Sequence, residues 1–92
     1  MSEITITPME PGHFGVQVSE GDTTTSHRVA VSDATLDQLG LADADRERVV
    51  RESFDFLLER EPATSIMSEF SLADISRFFP EFTEELPRRL SS

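Results

Sequence analysis

Hydrophobic and polar positions alternate over the first third of the chain and then change period. In "EITIT", Glu3 to Thr7, Ile4 and Ile6 share one side and Thr5 and Thr7 the other, the period-two signature of a half-buried strand. "PMEPG" breaks the run. His13 to Ser19 then places Phe14, Val16 and Val18 on one side, and Thr23 to Val31 repeats the spacing with Val29 and Val31. With Gly21 and Asp22 as the central pair of a primed turn, Val18 meets Thr25, Val16 meets His27 and Phe14 meets Val29 on the apolar face. The opposite face sets Gly15, Gln17 and Ser19 against Arg28, Ser26 and Thr24. The pattern predicts a three-stranded antiparallel meander, apolar on one face and wet on the other.

Beyond Val31 the apolar residues recur at helical spacing. Ser32 caps a short helix from Asp33 to about Leu39, which Gly40 stops. Asp43 or Asp45 caps a long helix, Asp45 to Glu61, which ends at the residue before Pro62. Its apolar stripe of Val49, Val50, Ser53, Phe54, Phe56, Leu57 and Leu58 spans more than half the circumference, so it needs cover from two sides. The meander supplies one. Thr64 or Ser65 then starts a turn or two of helix carrying Ile66, Met67 and Phe70. Ser71, with Asp74 three residues on, opens another bearing Leu72, Ile75, Phe78 and Phe79, which Pro80 stops. Phe82 and Leu86 anchor the last segment. These C-terminal apolar groups are expected to form the second cover, with any aromatic left outside serving as a docking patch. The fold class predicted is α+β: a three-stranded antiparallel meander packed by one long helix, with short C-terminal helices, as a single domain over residues 1–86 and a flexible tail over 87–92.

Composition narrows the function more than it shapes the fold. Ninety-two residues suffice for one core. No apolar run is long enough for a bilayer and the N-terminus lacks the regions of a secretory signal, so no membrane partner and a cytoplasmic location are expected. The absence of cysteine excludes disulfides, thiolate metal sites and a cysteine nucleophile. Eighteen acidic residues face eight basic ones, all arginine, for a formal charge of -10, which repels phosphate backbones and favours a basic partner.

Candidate chemistry is sparse. His13 and His27 are the only groups with ordinary pKa values near neutrality, and the strand register puts them on opposite faces. The alternating carboxylates of "DADRE", Asp43 to Glu47, do not make a calcium loop, because Arg48 stands where the glycine must be. The chain has no nucleophile elbow, glycine-rich phosphate loop or zinc spacing. No catalytic, metal or cofactor residue is therefore assigned, and a small carboxylate or histidine hydrolase is the least favoured reading.

Two resemblances bear on the remainder. Ser26 to Glu61 resembles the strand, helix, helix order of ribbon-helix-helix repressors and antitoxins, which would make Arg28 and Ala30 groove readers. That window holds five arginines against nine carboxylates, a balance of -4 where phosphate contact needs the reverse. Val49 to Phe82 resembles a segment shared by short bacterial proteins of uncharacterised activity, which implies one structural unit and no particular chemistry. The favoured reading is a small acidic, non-catalytic protein-binding or regulatory module, with a protein partner or self-association through an open strand edge. Its candidate surface is Gln17, Thr24, Ser26 and Arg28 on the sheet, with Phe78, Phe79 and Phe82 at the C-terminal cluster.

Overall fold

In the computed structural model, which describes residues 2–91, the chain is α+β with a four-stranded mixed sheet and four helices. Strands β1 (Ser2–Pro8), β2 (His13–Glu20) and β3 (Thr23–Ala30) form the expected antiparallel meander. The β2–β3 register pairs Phe14 with Val29, Val16 with His27 and Val18 with Thr25, as the hydrophobic pattern requires. Gly21 has φ +58° and Asp22 does not share a positive φ, so the two-residue turn uses glycine at its first central position only. The β1–β2 connection is a tight turn in which His13 N–H donates to the Glu10 carbonyl at 2.9 Å, with Pro11 fixing one φ and Gly12 supplying +83°.

Helix α1 (Asp33–Gln38) starts at Ser32, whose hydroxyl accepts from the Thr35 amide. It ends in a Schellman motif: Leu41 N–H reaches the Leu36 carbonyl at 2.7 Å and Gly40 N–H reaches Asp37, with Gly40 at φ +74°. Helix α2 (Arg46–Arg60) is capped by Asp45 and leaves the helical region at Glu61, the residue before Pro62. A single 3-10 turn (Ala63–Ser65) comes next, tied to the hairpin because the Ala63 amide donates to the Glu20 carboxylate at 3.0 Å.

The first departure from the sequence pattern lies just beyond this turn. Residues 69–71, expected in a short helix, instead form β4 (Glu69–Ser71), which pairs parallel to β3 with Phe70 beside Val29. The expected sheet of three antiparallel strands is thus a mixed sheet in the order β1-β2-β3-β4. A three-residue strand has no periodicity to read. It is fixed by the long-range gain of burying Phe70 on the apolar face and bonding Arg28 N–H to the Ser68 carbonyl at 2.7 Å.

Helix α3 (Leu72–Phe78) begins where the Ser71 amide donates to the Asp74 carboxylate at 3.1 Å, and it stops before Pro80. Helix α4 (Phe82–Ser91) is the second correction: residues 87–91, expected as a tail, continue the helix through Pro87. Ser92 lies outside the described residues. An interior proline costs about 3 kcal/mol, yet burying Leu86 completely and Leu90 in part offsets it at about 1.5 to 3 kcal/mol per fully buried large side chain.

Helix α2 packs on the sheet and α4 packs on α2, so α2 is covered from two sides as its stripe demands. Phe54 packs against His27 and Phe70, with ring centroids 5.4 and 5.9 Å away. Phe56 faces the other way, onto Phe82 at 5.1 Å and Phe79 at 5.9 Å. No helix among the described residues is long and apolar enough to cross a membrane.

Candidate functional site

The polar sheet face holds the first group of candidate residues. Gln17 stands opposite Ser26 and next to Thr5, while Thr24 stands opposite Ser19, with their hydroxyls 3.4 Å apart. Gln17, Thr24 and Ser26 are exposed. Arg28 lies between Gly15 and Glu69 and makes an ion pair with Glu10, so its charge is met inside the chain. Met9 folds over Gly15, where an added Cβ would come within 3.2 Å of the methionine sulfur. The result is a shallow, mostly neutral surface lined by hydroxyls and one amide.

The strand edges are less open than a three-stranded meander would leave them. Glu69–Ser71 occupies the edge of β3 from Arg28 to Ala30. On β1 the carbonyl of Ile4 accepts from Arg51 Nη1 at 3.2 Å, so a cation from α2 reaches one of the ladder groups that strand addition would use. Pro8 closes the same strand and has no amide to donate.

The three candidate phenylalanines meet three different fates. Phe82 is wholly buried between α2 and α4 and cannot serve as a surface, which corrects its place among the docking residues. Phe79 is partly buried with its ring edge against Phe56. Phe78, the last residue of α3, is 65% exposed. Position on the helix decides this. Leu72 and Ile75 take the inward side of α3, and Pro80 ends the helix before another turn could fold over Phe78.

Phe78 borders a groove of about 410 Å³ between the end of α2, the segment after the 3-10 turn and α3. Its floor is Leu57, Ile66, Phe70 and Ile75, all buried, and its walls are Phe79, Phe78 and Met67. Met67 is 45% exposed, although its place in an apolar run predicts core. Among the described residues Glu61 is the only charged one lining the groove. It is half-buried, and among the described residues no cation reaches its carboxylate. Neither Met67 nor Glu61 carried a sequence signal of its own; a methionine at the end of an apolar run and an acid before a proline are both ordinary.

His27 secures one wall. Its Nδ1 lies 2.8 Å from the Met67 carbonyl, which requires Nδ1–H to donate, and in the neutral ring Nε2 accepts from the Thr25 hydroxyl, also 2.8 Å away. With both nitrogens engaged and the ring tilted against Phe54, His27 acts as a buried strut. His13 lies on the opposite face of β2, beside Glu10 at 3.8 Å. No group of three histidine, aspartate or glutamate side chains among the described residues is placed to hold a metal ion. No protein-family model matches the chain, and neither a curated protein nor a solved structure is significantly similar to it.

Proposed function

We propose that the protein is a small, acidic, non-catalytic protein-binding module that docks its partner in the groove between α2 and α3. The observation that carries this reading is the exposure of Phe78 and Met67 directly above a buried apolar floor. A phenylalanine left in water forgoes about 1.5 to 3 kcal/mol, and aromatic and methionine side chains beside a concave apolar surface are the usual anchors of a protein interface. The engagement of both His27 nitrogens in structural bonds supports a non-catalytic role. Nothing specific favours the ribbon-helix-helix alternative: Arg28 is neutralised by Glu10, and β3 lies between β2 and β4 of its own chain.

Site-specific photo-crosslinking in the source cells tests the reading. A benzophenone side chain at position 78 is expected to give a discrete protein adduct, and the same group at Gln17 none. Adducts from position 17 with none from 78 would move the docking surface to the sheet and overturn the assignment.

A further inference from the structure

We infer that the occupant of this groove is a cationic amphipathic helix, with apolar side chains on the Phe78 and Met67 walls and a lysine or arginine against Glu61. The inference rests on the protein-binding reading above and adds the chemistry of the partner. A carboxylate on the rim of an apolar groove attracts a cation carried by the ligand, and the pair strengthens once the docked ligand has excluded water. Glu61 has no such cation from its own chain among the described residues. The adjacent Arg60 is engaged elsewhere, its guanidinium 3.6 Å over the Phe56 ring and donating to the Phe56 carbonyl. The net charge of -10 draws a basic ligand from a distance, whereas a second copy would bring the same charge and another Glu61. Apolar groups at i, i+3 and i+4 with a basic flank are what a short apolar groove with one acidic rim residue selects.

Methionine methyl resonances read the groove directly, because Met67 forms its wall while Met9 lies on the opposite sheet face. The probes are two helical peptides with the same leucine face, one bearing lysine and the other glutamine on the polar face. The lysine peptide is expected to shift Met67 saturably and leave Met9 unmoved. Phe78→Glu should weaken it by at least about tenfold, and Glu61→Gln by about threefold to tenfold, with the glutamine peptide insensitive to the second change. Equal binding of both peptides at Met67, or no effect of Glu61→Gln, overturns the cationic partner while leaving a docking groove. If neither peptide moves Met67, the docking groove itself is overturned. A concentration-dependent shift of Met67 in the protein alone would make a second copy the occupant and likewise overturn the inference.

Discussion

The long helix α2 has two seams, and they are finished differently. Toward α4, Phe56 meets Phe82 and Phe79 ring to ring, Arg60 lies over its face, and Arg89 bridges Glu59 at 2.8 Å and Glu85 at 3.7 Å. Toward α3, on another side of the same helix, Leu57 looks into a groove whose outer aromatic stands in water. The apolar residues available to the two seams are of the same kind. The difference lies in chain geometry: α4 starts against α2 at Phe82 and its ten residues carry on to bury Leu86 there, whereas α3 has seven and ends at Phe78, before Pro80. A closed seam stabilises the fold. An open one leaves apolar surface for another molecule.

The sharpest way to break this contrast is to truncate one phenylalanine on each seam. Phe82→Ala should lower unfolding free energy by about 3 to 5 kcal/mol, because it opens a cavity beside Phe56 in a fully buried site. Phe78→Ala should change it by no more than about 0.5 kcal/mol, since the ring contacts little of the folded core. Urea unfolding of the two variants measures both. Comparable losses would show that the α3 seam is closed in solution and that Phe78 is core after all.

A second, smaller effect tests the wall that keeps the groove in place. His27→Leu removes both ring nitrogens and leaves the Met67 carbonyl without its donor. The expected loss is about 1 to 3 kcal/mol, the cost of an unsatisfied buried polar group. Amide exchange should localise the loosening to residues 66–71, with the α2–α4 seam still protected. Uniform loss of protection across both seams would mean that they unfold as one unit and that the groove has no separate support.

The contrast also explains how much of the fold was legible in the sequence. The β2–β3 register came from Phe14, Val16, Val18 and Val29 because a period of two admits one burial face, and a slip by one residue would turn the apolar set outward and the polar set inward. The helix boundaries at Ser32, Asp45, Glu61 and Ser71 came from caps and prolines, which act locally. Strand β4 was hidden because its identity depends on Val29, far earlier in the chain, and not on its own neighbours. Phe78 and Phe82 were equivalent as letters. Phe78 is the last residue of α3 and Phe82 the first of α4, and which one is buried depends on where each helix end meets α2. The polar residues of the sheet were placed on the right face, yet the groove was visible only once Met67 and Glu61 were brought to it.

A further, modest effect concerns Pro87, the residue that made the end of the chain read as a tail. Its ring removes the amide that would bond the Thr83 carbonyl, so α4 persists because Leu86 is buried and Leu90 and Arg89 pack beside it. If packing on α2 is what overrides the proline, restoring the amide should strengthen the helix without changing its partner. Pro87→Ala is therefore expected to raise stability by about 1 kcal/mol in urea unfolding, a fraction of the full helix-interior penalty because the site lies one turn from the helix end. The gain should disappear in the Leu86→Ala background, where the last turn has lost its hold on α2. Were Pro87→Ala destabilising instead, the proline would be setting a bend that Leu90 and Arg89 need in order to reach α2, and the closed seam would depend on that bend as well as on the buried rings.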